Sequence, residues 1–573
     1  MAEMLVLVID AAVPTVRVPQ GELRPTLLQS AFDNRTIYAF LGVPYGRVTE
    51  RFGRAEPAGP WQGVLNATTD GAECVQWDER QQRAIGSEQC LYLNIYTSSL
   101  PPANPTAPLV FLHGGDWTSG SGSSHWYGPR YWLDHDVVLV TVNSRLGAFG
   151  FLSTGDQQAP GNLGLHDQVL ALDWINNNIA FFGGLRSLTT IMGEGTGAVS
   201  VHMLQLTQRA KNLFERAISQ SGTAFCPGAL VPETVANGHE LAARLACPTG
   251  DSAPMLTCLR DASAEDIARA TAHLSGQMGG AAPFGPVIDA YATEPFLPKP
   301  PSELMTENNF RHSPWIVGTN RDEGADAAYA LLSDSQQLER LNSRFTELAP
   351  QLLHFARTAA DPAATSEQIR KHYFGDRPID DRTASELVEL LTDRMLLHCT
   401  EKAAWWHAHY STHKVFVYQW NLKGRMHIRD LQPAHPSGAD AAHWRPGHPR
   451  FARHAGAHNL GVSQKDELLL MFSNELAPLY DANDPLVNEI RQILNMWVTF
   501  AKTGDPTPDV HGIDAGLWRE YWEFFYPFDP HYLIIDRDWA SVTELRPQAI
   551  EFWDSLGLRE NMFKHKLVMR DEL

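Results

Sequence analysis

Short apolar runs recur along the first half of the chain, each bounded by glycine, proline or polar residues. Pro108 to Leu112 is one, Val137 to Val142 a second and Leu188 to Met192 a third. Runs of this length without polar alternation predict strands buried on both faces of a sheet. Arg216 to Gln220, Trp315 to Gly318 and Val415 to Trp420 add three more. Between them the period changes. From Gln168 to Ile179 the apolar residues Val169, Leu172, Ile175 and Ile179 share one helix face. Strands alternating with helices predict an α/β protein with a large, doubly wound, mostly parallel central sheet. From about residue 235 to 410 helical pattern and charge dominate, which predicts helical insertions over the sheet. Asp361 to Thr365 and Gly424 to Gly447 read as loops, the second rich in His, Pro and Arg. Met4 to Ile9 is an apolar run that Asp10 stops. It is short for the core of a signal peptide, and is expected to be the first strand.

The 573 residues are 43% apolar and 20% charged, ordinary values for a globular protein. A net charge of −20 argues against nucleic acid and anionic membrane surfaces as partners. No apolar run reaches the roughly 18–20 residues that span a bilayer. The chain ends Arg570-Asp571-Glu572-Leu573, which reads as a retention signal of the K-D-E-L type. Six cysteines are too few for a disulfide scaffold. Cys74 with Cys90, and Cys247 with Cys258, are spaced to close short loops, each worth roughly 3 kcal/mol of unfolded-chain entropy. Asn34-Arg35-Thr36 and Asn66-Ala67-Thr68 are glycosylation sequons. The expected location is the endoplasmic reticulum lumen, with a signal sequence upstream of the given start. Secretion and a cytoplasmic setting remain the alternatives.

Gly193-Glu194-Gly195-Thr196-Gly197 changes the picture most. It follows the Leu188–Met192 run and precedes a helix-like stretch from Ala198. Strand, sharp turn and helix are the context of a nucleophile elbow, G-x-S-x-G. The middle position is Gly195, so the turn is expected and the nucleophilic oxygen is missing.

Further motifs run in order along nearly the whole chain. They are Phe40 to Tyr45, Glu88 to Tyr96, Asn143 to Gly147 with Gly150 to Leu152, Gly161 to Gln168, Gly318 to Gly324, Gly461 to Phe472 and Phe500 to Pro506. With these the chain resembles the type-B carboxylesterase and cholinesterase family from about Val16 to Leu556. The resemblance implies an α/β-hydrolase fold, one domain over residues 1–560, and a tail, 561–573, that carries the retention signal. It also implies a serine nucleophile, a histidine base and an acid that orients it. Glu323 falls on the acid position. The base position falls on Gln464, which cannot take a proton at neutral pH but could fill the space and bond to Glu323. His458 and His454 lie six and ten residues upstream, and are expected to be surface residues. Thr196 is the nearest hydroxyl to the elbow, and Ser200 is expected to be a packing residue. The oxyanion N–H groups would come from Gly115, Asp116 and Thr196. Asp116 replaces a glycine there. It either adds a carboxylate beside the developing charge or turns outward, and it loses glycine's freedom at positive φ.

The resemblance places its first two disulfides on Cys74–Cys90 and Cys247–Cys258. Its third would use Cys399, but the partner position is near Ile550, so Cys399 is expected to be a free thiol. Cys226 also matches a position that can be free. No catalytic triad is intact. The expected protein is a non-catalytic esterase-like binder or scaffold, without metal or cofactor, holding a partner protein or a hydrophobic small molecule. An ester hydrolase with an atypical nucleophile and base is the alternative. The family's pairing through C-terminal helices leaves a homodimer open.

Overall fold

Thirteen strands pair into one sheet in a computed structural model that describes residues 14–102, 104–277, 282–431, 460–508 and 520–561. Along the chain they are β1 (Val16–Val18), β2 (Gly21–Gln29), β3 (Thr36–Pro44), β4 (Val64–Ala67), β5 (Tyr92–Thr97), β6 (Pro108–Leu112) and β7 (Val138–Val142). They continue as β8 (Thr190–Glu194), β9 (Arg216–Gln220), β10 (Trp315–Asn320), β11 (Val415–Trp420), β12 (Tyr532–Ile535) and β13 (Ala540–Val542). The order is β1-β2-β3-β5-β7-β6-β8-β9-β10-β11-β12-β13, with β4 beside β2. All pairs from β7 to β12 are parallel, and those linking β1, β2, β3, β5 and β7 are antiparallel, as is β12 with β13. The mostly parallel α/β sheet expected from the apolar runs is therefore present.

Both faces of its centre are covered. Every residue of β6 and β7 is buried. Val110, Val140 and Ile191 join the apolar cluster on one face, while Leu109, Phe111, Leu139 and Met192 join the other. The alternation is the two-residue period of a strand. The helices that matter below are α1 (Leu163–Asn178), α2 (Thr196–Leu206), α3 (Pro362–Tyr373), α4 (His398–Tyr410), α5 (Val487–Thr503) and α6 (Pro547–Ser555). A third cluster gathers side chains between Ala325 and Leu391 with Trp553 of α6, the expected helical insertion.

Several expectations shift. The third strand starts at Thr190, because Arg186–Leu188 turns as a short 3₁₀ segment first. Asp361 to Thr365 is no loop. The Asp361 carboxylate accepts the Ala364 N–H at 3.0 Å, and Pro362 occupies the first turn of α3, where its missing N–H costs nothing. Met4 to Ile9, His454, His458 and Arg570 to Leu573 lie outside the described residues.

The cysteines bring the main correction. Cys74–Cys90 and Cys247–Cys258 are bridged as expected. Cys226 and Cys399 are not free thiols but a third disulfide, with Cα atoms 4.9 Å apart. The sheet order sets the loop after β9 against the start of α4, so residues 173 apart in sequence meet. Ile550 packs with Leu397 in an apolar contact.

Candidate functional site

β8 ends at Glu194, Gly195 turns with φ 58° and ψ −122°, and α2 starts at Thr196. The φ lies in the left-handed region that glycine enters without a Cβ penalty. The Gly195 N–H donates to the Gln220 carbonyl at 2.9 Å, and the Val199 N–H donates to the Gly195 carbonyl at 3.0 Å. Backbone contact closes the turn around it. A Cβ on Gly197 would lie 2.1 Å from the Leu112 carbonyl oxygen, and one on Gly222 would lie 2.4 Å from the Gly195 oxygen. A Cβ on Gly195 would meet one atom within 4 Å, the Gln464 amide nitrogen at 3.0 Å.

Glu323 is buried. One carboxylate oxygen accepts the Asn320 N–H at 2.6 Å, and the Ser221 hydroxyl is the side-chain partner that pulls against its burial. Gln464 thus does not satisfy Glu323, contrary to expectation; its amide turns toward Gly195 and Glu194 instead. Glu194 is fully buried, and neither of its oxygens has a partner with hydrogen-bond geometry. Burial pushes its carboxyl up to about 7, against the pull of the Lys465 ammonium and the Gln464 amide. Glu467 accepts from Asn320 at 2.6 Å and Gln220 at 3.3 Å. Burial, then the Glu194 charge, lifts it to about 8. Glu323 is raised well above the carboxylate range, mainly by burial.

Lys465 answers these acids. Its ammonium is raised above its ordinary value first by Glu194, against burial, with Asp116 and Tyr127 adding. Sequence reading did not single out Glu194, Lys465 or Glu467. The available signal was a lysine beside the altered base position, and a glutamate inside the elbow motif.

The oxyanion loop runs through Gly115, Asp116 and Trp117 at φ 124°, 53° and 61°. Asp116 adopts positive φ after all, a region that Asp tolerates better than most residues, whereas a bulky Trp there is an outlier. The Asp116 side chain is exposed, the outward alternative, though its charge still acts on Glu194 and Lys465. The N–H groups of Gly115, Asp116 and Thr196 donate to no other group among the described residues. Ser200 is buried and accepts from Gln168 at 3.2 Å, a packing role. Asn34 and Asn66 are both exposed. Among the described residues no cluster of His, Cys, Asp or Glu could hold a metal, and no helix is long and apolar enough to cross a membrane.

The buried acids set a pH dependence. Their folded pKa values exceed the unfolded ones, so their stabilising effect is complete below about 4.5 and is lost as pH rises through about 7 and 8. Buried His113 and His135, lowered to about 4 by burial, and His166 and His407, lowered to about 3 by burial, act oppositely, but only below about 6.5. Between pH 6.5 and 8 the carboxyls act without that opposition. The melting temperature should fall across that interval, and Glu194→Gln should flatten the fall. A melting temperature that rises from pH 6.5 to 8 would contradict the placement of these acids.

Comparison with known proteins follows the same lines. The carboxylesterase family description matches residues 12–553. Esterase FE4 of Myzus persicae is 34% identical over 508 residues, covering 86% of this chain and 85% of that protein. A carboxylic ester hydrolase of Bombus ignitus is 30% identical, covering 96% and 95%. The crystal structure of juvenile hormone esterase from Manduca sexta, with OTFP covalently attached, superposes with a TM-score of 0.80 at 25% identity, over 94% of this chain and 99% of that one.

Proposed function

The chain belongs to the carboxylesterase family, and we propose that it is a member without ester hydrolysis, serving as a binding or scaffolding protein of the endoplasmic reticulum lumen. The observation that carries the reading is Gly195: the elbow is complete, and the position of the nucleophile holds no side chain. Gln464 stands beside it as an amide, which cannot act as a general base. Loss of the nucleophile or the base alone costs a serine hydrolase about 10⁶ in kcat. The ligand is a partner protein or a hydrophobic small molecule held above the elbow, and no cofactor is required. Three disulfides fit an oxidising compartment. Exposed Asn34 and Asn66 fit it too, and Arg570 to Leu573 supply the retention address.

The test is direct. Purified protein should neither react with a fluorophosphonate probe nor turn over a short-chain aryl ester. Labelling, or turnover abolished by Thr196→Ala, would replace this reading with an active hydrolase. In cells, a signal-bearing form lacking Arg570 to Leu573 should be secreted, and an unchanged location would remove the retention claim.

A further inference from the structure

One face of α4 carries an unpaired amine. His398, Lys402, Trp405 and His409 follow at steps of four, three and four, so they lie on the same side of the helix. Lys402 is partly buried and makes no hydrogen bond or ion pair among the described residues. Two carboxylates are close enough to act on it, Glu560 and Asp554, but each is bonded elsewhere. Glu560 pairs with Arg394 at 2.9 Å, and Asp554 with His398 Nε2 at 2.8 Å. Burial therefore governs the Lys402 ammonium and lowers it to about 8, against the pull of those two carboxylates. The other described lysines with a displaced ammonium, Lys299, Lys414 and Lys465, are all raised. One turn beyond the amine, Trp405 and His409 stack with ring centroids 4.8 Å apart.

We propose that Lys402 is a covalent attachment site for aromatic aldehydes, using none of the groups around Gly195. A desolvated lysine without a counter-ion is the form in which this side chain acts as an imine-forming nucleophile. The unprotonated amine attacks the carbonyl carbon, and a C–N bond forms. The carbonyl oxygen then leaves as water, carrying both N–H hydrogens of the amine, and a C=N bond remains. The step needs no oxidant, reductant or metal. The His398–Asp554 and Arg394–Glu560 pairs keep the amine available by occupying the carboxylates that would otherwise hold it as an ammonium. The Trp405–His409 stack offers the ring of the adduct an aromatic face.

Reductive trapping with benzaldehyde and cyanoborohydride, read by peptide mass spectrometry, tests this. At about pH 7.5 an amine with its midpoint at about 8 is roughly one quarter unprotonated, and an ordinary lysine about one part in a thousand. Lys402 should therefore label at least about tenfold faster than exposed Lys211 and Lys371, its partial burial taking up the rest of that margin. The labelling rate should rise with pH through a midpoint near about 8. His398→Leu frees Asp554 for the amine and should slow labelling about tenfold, whereas Asp554→Asn should speed it. Benzaldehyde should favour Lys402 over Lys371 more than propanal does, and Trp405→Leu should remove that preference. Labelling of Lys402 no faster than that of Lys371, or a midpoint near the ordinary value of about 10.4, would overturn the proposal. Both readings come from the unaltered protein, so they stand even where a variant fails to fold. A folded His398→Leu variant that labels like the parent would also overturn it, and equal preference for the two aldehydes would overturn the aromatic assignment.

Discussion

Gly195→Ser combined with Gln464→His should create measurable hydrolysis of an aryl ester, where neither change alone does. The scaffold retains the other parts. Glu323 is buried, and its carboxylate can accept from an imidazole Nδ1–H. The N–H groups of Gly115, Asp116 and Thr196 donate to no other group among the described residues. A side chain at 195 points at residue 464, since the nearest atom to its Cβ is the Gln464 amide nitrogen at 3.0 Å. Nucleophile and base act as a unit, so restoring one without the other recovers almost nothing of the roughly 10⁶ they supply together. Serine at φ 58° costs about 1–3 kcal/mol of backbone strain, so stability should fall while activity appears. Adding Asp116→Gly should raise the rate further by removing a negative charge near the developing oxyanion. Steady-state kcat/KM of the single, double and triple variants is the measurement. A single Gly195→Ser as active as the double would mean that Gln464 is not the lost base. A folded but inactive triple variant would mean that Lys465 and the buried acids have changed the site beyond repair by these three substitutions.

How much of this was legible in the sequence follows from the range of each interaction. β6, β7 and β11 were readable because burial on both faces writes a continuous apolar run. The elbow was readable because its glycines are fixed by backbone contact: Gly193 and Gly197 each lie too close to neighbouring main chain for a Cβ. The start of α3 was misread because Asp and Pro signal both a loop and a helix start, and only the Asp361 hydrogen bond to Ala364 distinguishes the two. The charged layer beneath the elbow was not readable. Glu194, Glu323 and Glu467 are far apart in the chain, and their raised pKa values come from shared burial. The fate of Gln464 was similarly hidden, because either Glu194 or Glu323 could have drawn its amide.

Replacing Cys226 and Cys399 together by alanine should destabilise the protein more than removing either other bridge. In the chain-entropy account, a disulfide stabilises by shrinking the unfolded ensemble, and the effect grows with the logarithm of the loop. The bridges span sequence separations of 16, 11 and 173. That corresponds to roughly 3 kcal/mol for each short loop and about 5 kcal/mol for the long one. The long bridge also has a local role. Cys226 lies four residues beyond Gly222, which rests against the Gly195 carbonyl, and Cys399 lies in α4 directly after the π-helical turn Asp393–Leu397. Cutting it frees the loop that backs the elbow from the helix that holds it. Equilibrium denaturation of the three double-alanine variants under oxidising conditions should therefore give the lowest midpoint for Cys226/Cys399. A midpoint no lower than that of the Cys247/Cys258 variant would show that packing around β9 and α4 already fixes this contact without the bond.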